Sequence, residues 1–321
     1  MTADLALSIV VPTRDRPELL ESCLRSLRAG LGDHDELIVV DSASIDPNVQ
    51  RTARANGATV IRCDRPGVGV ARNAGWRAAA NDAVVFVDDD IRVAPEWADA
   101  WRDVIAAHPE TAFFTGRIGV PPEQHGVDRP VAIKDEDEPA VLDASTTGSL
   151  GHSANLAVHR WALETIGGFD EQMGAGGRFR SSPEYDLFDR LFAAGWTGRY
   201  EPGPQAWHEQ WRSRAELVRL DFSYGTGTGA RLAKLVRTDR PRARVVAREH
   251  VWDNGVRRLA NAIRARYKTG VVLTASRLSG TVVGFTRAAA VPVRGGHFAE
   301  RRSRRRSPRS SPEPQPHPHD A

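Results

Sequence analysis

Two cysteines in 321 residues are too few for a disulfide framework, and neither sits in a metal-knuckle spacing. Cys23 and Cys63 fall in segments that read as helix and strand, so a reducing cytoplasm is the expected setting. No apolar run approaches the roughly 20 residues that a membrane-spanning helix needs. A basic stretch followed by an apolar one is also missing from the start, where Met1 leads through a polar segment to Leu7-Ser8-Ile9-Val10-Val11. That argues against a signal peptide. The arginine-rich end lacks interleaved aromatics, so a nucleic-acid partner is not expected.

What remains is the make-up of a globular protein, 40% hydrophobic and 26% charged, with enough chain to bury a sizeable core. The net charge of +3 is unevenly spread, with arginines crowding the last third and ending in Arg301-Arg302-Ser303-Arg304-Arg305-Arg306. The Pro/Ser/His-rich segment from Ser307 to Ala321 has nothing with which to pack a core and is expected to be disordered.

The most informative stretch is Ala83-Val84-Val85-Phe86-Val87-Asp88-Asp89-Asp90. Its Val-rich run reads as a strand buried on both faces. It stops on three adjacent carboxylates, whose mutual repulsion calls for a compensating cation. Hard oxygen ligands suit Mg²⁺ or Mn²⁺, ions that bridge proteins to phosphate oxygens; a solvated Asp-rich turn is the plainer alternative. Upstream, strands at Leu7 to Val11, Glu36 to Val40 and Ala58 to Ile61 alternate with helices opening at Pro17, at Pro47 and after Gly67. Alternation of this kind predicts right-handed crossovers and a mainly parallel sheet flanked by helices, with ligands beyond the carboxyl ends of the strands. Thr13, Asp15, Asp41 and Asp88 to Asp90 all fall at such ends. Arg72, near the start of its helix, is placed to reach a pyrophosphate.

Further along, Pro95 to Ala107 reads as a helix whose Trp97 and Trp101 are assigned to packing. Pro121 to Asp143 reads as a mobile, solvated loop, and glycine-rich Met173 to Phe179 as flexible. Pro183 opens an amphipathic helix carrying Glu184 and Asp186 in its acidic first turn. Trp196 to Tyr200 reads as a strand, Glu201 to Pro204 as a turn, and Ala206 to His208 as a short strand end. His208 becomes a candidate third metal ligand beside the acid triplet.

Taken together, these motifs resemble family-2 glycosyltransferases of the GT-A fold. Ser8 to Thr13 with its Pro-started helix resembles the family's first nucleotide-contacting strand. Val39-Val40-Asp41-Ser42-Ala43-Ser44 is similar to its V-D-x-x-S turn, Gly69 to Gly75 to its a-R-N-x-G helix, and Phe86 to Asp90 to its D-x-D element. Asn155 with Ile166 to Asp170 matches an acceptor-side segment. Glu184 to Arg190 matches the E-D-x-D-L-x-x-R helix, and Tyr200 to His208 the y-x-P-x-x-x-x-H that follows. The likeness runs from about Leu7 to about Gly229, with one departure: Pro183-Glu184 replaces the usual Glu-Asp, so Glu184 stands where the family has its base.

The resemblance implies an inverting, metal-dependent transfer of sugar from a nucleotide-diphosphate sugar to an acceptor hydroxyl on a glycan, a lipid-linked molecule or a small molecule. Glu184 would be the base, with Asp186 the fallback. Pro12, Thr13, Arg14, Asp41, Arg72, Asp88 and Asp89 would hold the donor, and Asp88, Asp90 and His208 would hold Mn²⁺ or Mg²⁺. The alternative is an inactive relative that binds sugar nucleotides or glycans. The expected organisation is a GT-A domain over residues 1–230, with a nucleotide-sugar half (1–118) and a mixed acceptor half (119–230). A helical extension (231–296) and a disordered tail (297–321) follow. Residues 270–293, apolar but interrupted by Arg277 and Arg287, suit helices that pack on the domain or lie on an anionic membrane. Peripheral contact at the inner face of the plasma membrane, through the basic C-terminus, would suit a lipid-linked acceptor.

Overall fold

A computed structural model of the chain describes residues 5–127 and 131–300. The arginine run and the Pro/Ser/His-rich end therefore lie outside the described residues. One nine-stranded sheet organises the molecule. Its first half is built from β1 (Leu7–Thr13), α1 (Pro17–Arg28), β2 (Glu36–Ser42), α2 (Asn48–Ala55), β3 (Thr59–Cys63), α3 (Val68–Ala78) and β4 (Ala83–Val87). These strands pair in parallel in the order β3-β2-β1-β4. β1 and β4 have no exposed residue, as their unbroken apolar runs require of strands covered on both faces.

The second half is mixed. After β5 (Ile91–Val93) and α4 (Trp97–Ala107) come β6 (Phe113–Gly119), β7 (Ala140–Leu142), β8 (Asn155–His159), α5 (Arg160–Ile166), α6 (Pro183–Ala193) and β9 (Gly198–His208). β8 runs antiparallel to β4 and β6, and β9 is parallel to β6 and antiparallel to β5 and β7. Trp97 and Trp101 are buried in the core, edge to face at 6.3 Å. Asn155 ties this half together: its amide donates to the carbonyls of Arg117 (3.0 Å) and Pro204 (2.8 Å) and accepts from the Trp97 indole (2.9 Å).

Four expectations need correcting. Residues 201–204 are part of β9, as a register shift opposite Gly116/Arg117 absorbs both prolines within the strand. Within the segment expected to be a mobile loop, residues 131–143 are anchored: β7 pairs with β9, the Tyr200 hydroxyl donates to the Glu136 carbonyl at 2.6 Å, and Ile133 packs on the core. Likewise, the Met173–Phe179 stretch is held by two fully buried side chains at its ends. Finally, the boundary drawn at residue 230 falls inside one continuous helix, α7 (Arg214–Thr238), and the tail drawn from 297 begins with a strand whose Phe298 is buried.

Beyond α7 the chain continues as α8 (Arg240–Val246), a π-helical segment (Ala247–Arg257), α9 (Arg258–Arg264), α10 (Lys268–Ala289) and a two-stranded hairpin of β10 (Val293–Arg294) and β11 (His297–Phe298). α10 packs on α7 through four glycines. A Cβ on Gly225 or Gly229 would lie 1.9 or 2.0 Å from the carbonyl oxygens of Arg277 and Thr281. On Gly280 or Gly284 it would meet those of Phe222 and Thr226 at 2.1 Å. Small residues four apart on each helix let the two backbones touch, the device used where helices approach closely. One face of the 270–293 stretch is thus spent on packing against α7, while Val272 and Val282 stay exposed. Among the described residues no helix is long and apolar enough to cross a membrane. Because the obstructing atoms are backbone, Gly225→Ala should destabilise the fold by about 1–3 kcal/mol or more, read as a lowered unfolding midpoint.

Candidate active site

The carboxyl ends of β1 and β4 open into a cavity of about 920 Å³. Its wall includes Pro12, Thr13, Arg14, Arg72, Asp88, Asp89, Asp90, Glu184 and His208, so the structure brings together nearly all the expected site residues from five separate segments. Asp90 and His208 meet because β5, three residues long and not legible in the sequence, pairs Ile91 with His208. The imidazole Nε2 then lies 3.3 Å from Asp90 Oδ1.

The three acids coexist because guanidinium groups surround them. Arg72 Nη2 donates to Asp88 at 2.6 Å, and Arg16 reaches Asp89 at 3.0 Å and Asp90 at 3.3 Å. Thr13 Oγ1 donates to Asp89 at 2.8 Å, and the Trp211 indole to Asp90 at 2.9 Å. Burial pushes the Asp89 carboxyl up, against the pull of Arg16. Burial opposes ionisation of Asp90 too, but His208, Trp211 and Arg16 outweigh it and hold that carboxyl well below the usual range.

Arg72 is the most telling cation. It is 2% exposed, and its Nε and Nη1 have no hydrogen-bond partner. Buried donors left unpaired are expensive, and these belong to a residue that lines the cavity. The helix carrying Arg72 is fixed by the next side chain: Asn73 donates to the Phe169 carbonyl and accepts from its N–H, both at 2.9 Å. Gly168 makes this possible, since at φ +76° a Cβ there would strike Asn73 and Trp76.

Glu184 enters on the first turn of α6, behind Ser182 held in the left-handed conformation (φ 59°). Burial raises its carboxyl above the ordinary glutamate range, with the Arg72 charge opposing. Asp186, two residues on, does not line the cavity. It is 1% exposed and clamped by Arg190 (3.0 Å) and Lys234 (2.6 Å), so the expected fallback base is an internal ion pair. Asp41 is also absent from the cavity wall. Its carboxylate accepts from Gln50 (2.8 Å), Arg62 (2.6 Å) and the Ser44 N–H (2.8 Å), closing the turn whose Ser42 does line the cavity.

The far wall comes from residues to which sequence reading assigns no role: Arg212, Tyr224 and Arg231 near and on α7, and Glu249, His250 and Asn254 on the π-helical segment. Trp211 and Arg212 could have been suspected, since they follow His208 by three and four residues. The others have no local signal. A π-helical insertion is itself a common mark of a functional site.

Residues 8–148 match the family model described as Glycosyl transferase family 2. Among curated proteins, the chain is 29% identical over 243 residues to the pre-mycofactocin glycosyltransferase of Mycobacterium tuberculosis, across 70% of this chain and 47% of that protein. It is 27% identical over 249 residues to the succinoglycan biosynthesis protein ExoM of Rhizobium meliloti, across 72% and 76% of the two chains. The chain therefore spans about half the length of the mycobacterial relative. Among solved structures it resembles the mannosyltransferase PcManGT of Pyrobaculum calidifontis in complex with GDP-Man and Mn²⁺, at 20% identity and a TM-score of 0.60, covering 87% of this chain and 86% of that one. It also resembles residues 1–349 of S. aureus TarS, solved with UDP-GlcNAc, at 14% identity and a TM-score of 0.52, covering 88% and 90%. With the sheet order already described, the likeness to these solved structures places the chain on the GT-A fold, and residues 8–148 are similar to glycosyl transferase family 2.

Proposed function

We propose that the chain transfers a sugar, with inversion, from a nucleotide-diphosphate sugar to an acceptor hydroxyl. The observation that carries this reading is the cavity itself: it holds Glu184, the acid triplet and a buried Arg72 with two unpaired N–H groups. Those N–H groups suit a diphosphate, whose charge grows as the bond to the sugar breaks. Glu184 takes the proton of the acceptor hydroxyl as that oxygen attacks the anomeric carbon, and a raised pKa brings it nearer to the operating pH of a general base. Thr13, Arg14 and Ser42 line the nucleotide side.

The residues present fit a divalent cation such as Mn²⁺ or Mg²⁺. Asp90 and His208, both buried and 3.3 Å apart, supply an oxygen and a nitrogen donor, with Asp88 on the same wall. Among the described residues no group of three metal-binding side chains converges, so other ligands would come from the diphosphate and water. When bound, the ion would supply positive charge to the leaving diphosphate. Chelation with EDTA, or Asp90→Asn, should weaken donor binding about tenfold or more, by calorimetry. Unchanged affinity in both cases would count against the assignment.

Pro183, in place of the family's Glu, favours a second reading, an inactive sugar-nucleotide or glycan binder. A screen of UDP-, GDP- and dTDP-sugars with Mn²⁺ and Mg²⁺ decides between them. Thermal stabilisation with slow donor hydrolysis supports the enzyme, and stabilisation without any turnover supports the binder. We place the protein in a reducing cytoplasm, where both thiols stay free.

A further inference from the structure

From α8 through the π-helical segment into α9 the chain forms one unbroken helical rod, since Val246, Arg257 and Arg258 at its junctions keep helical backbone angles. The rod has two unlike faces. His250, Asn254 and Arg258, spaced four apart, line the cavity that holds Glu184. Gly255 rests against Leu278 of α10, and Glu249 accepts the Gly148 N–H at 3.0 Å. Two residues on from His250 and Asn254, and so on the opposite side, come Trp252 and Val256; Ile263 follows at a spacing of seven, and Tyr267 lies just past the end of α9, after Arg266 in the left-handed conformation. These four side chains are 60%, 43%, 57% and 55% exposed. Around them stand Arg244, Arg248, Arg257, Arg264, Arg266 and Lys268, all exposed. Asp253, the acid among them, pairs with Arg257 at 3.4 Å.

We propose that this outer face, Trp252 to Tyr267, docks on an anionic phospholipid bilayer. A row of aliphatic and aromatic side chains inside a ring of basic ones is the pattern of a helix lying in the membrane interface. Trp and Tyr prefer that depth, and the surplus of guanidinium and ammonium groups complements acidic headgroups. A protein partner would have to match the same excess of positive charge. Docked in this way the rod lies between the bilayer and the cavity, because the same helix turns carry both faces on opposite sides. Docking would hold the chain at the surface from which a lipid-borne acceptor hydroxyl could come to Glu184. That consequence rests on the glycosyl-transfer reading, whereas the docking does not.

The test uses the full chain and co-sedimentation with two kinds of vesicle, an equal mixture of phosphatidylglycerol and phosphatidylcholine and phosphatidylcholine alone. The parent should bind the acidic vesicles at least about tenfold more tightly, and added salt should weaken that binding. The double variant W252E/I263E, with its basic tail intact, should lose about tenfold or more of that affinity while keeping its unfolding midpoint and its donor hydrolysis. As a measurement that needs no charge introduced, brominated lipid should quench parent fluorescence and quench a Trp252→Phe variant less. Equal binding to neutral vesicles, full affinity in the double variant, or quenching unchanged in W252F would each overturn the proposal. So would self-association in lipid-free solution that the same double variant abolishes. Absent donor hydrolysis in the parent would count against sugar transfer alone and leave the vesicle result standing.

Discussion

Glu184→Gln is expected to lower the rate of sugar transfer by about 10²–10⁴-fold, the usual contribution of a positioned general base, while donor affinity stays within a factor of about two. The amide keeps the shape of the side chain at the start of α6 but cannot accept the proton. The pH dependence follows from the raised carboxyl. Glu184 must be ionised to act, and burial keeps it protonated to higher pH than a free glutamate. The acidic limb of kcat/KM should therefore lie above the ordinary glutamate range and vanish, along with activity, in the variant. The same shift has a stability side. A carboxyl whose folded pKa is raised binds its proton more tightly when folded, so ionising it destabilises the fold as pH rises through that pKa. Apo Glu184→Gln should thus unfold at a higher temperature than the parent at alkaline pH, with the gap closing on acidification. Parent-like turnover would reject Glu184 as the base, and a gap that widens on acidification would reject the reading of its environment.

Lys234→Met is expected to be the most damaging single change outside the cavity, at about 3–5 kcal/mol of stability. The Lys234 ammonium, buried on α7, lies between two buried carboxylates, Asp170 at 2.5 Å and Asp186 at 2.6 Å, and donates to the Gly296 carbonyl at 2.8 Å. Removing the cation leaves two carboxylates that have lost water and gained nothing. Burial alone would raise Asp186, yet Lys234 and Arg190 hold it below its ordinary value. The cluster also joins α6, α7 and the C-terminal hairpin, because the Phe298 N–H donates to Asp170 at 2.8 Å. The loss should therefore appear in urea unfolding as a lowered midpoint, together with weaker catalysis through a displaced Glu184. A midpoint within about 1 kcal/mol of the parent would show that the carboxylates find other partners.

Lys234 also shows where sequence reading stops. In sequence it is an ordinary lysine late in a helix of low amphipathicity, 64 residues from Asp170. Its role exists only because three elements converge on it. Asp186 is the reverse case: a conspicuous acid in the expected motif, two residues from Glu184, that the helix turns into the interior. Motif spacing fixes neighbourhood along the chain, while helical rotation decides which of two nearby carboxylates faces the cavity.

The alternation of strands and helices, the parallel half-sheet, the acid triplet at a strand end and Arg72 near a helix start were legible in the amino-acid order, because local periodicity and turn chemistry determine them, whereas Glu184 was singled out only by the family resemblance. β5, too short for any pattern, was not, and it is what carries His208 to Asp90. Nor were the guanidinium groups that let three acids stand together, or the two-faced rod with its exposed outer side chains. Those features depend on long-range pairing and on which helix faces find a partner. They are settled by the free energy of burial across the whole molecule, which no window of the sequence contains.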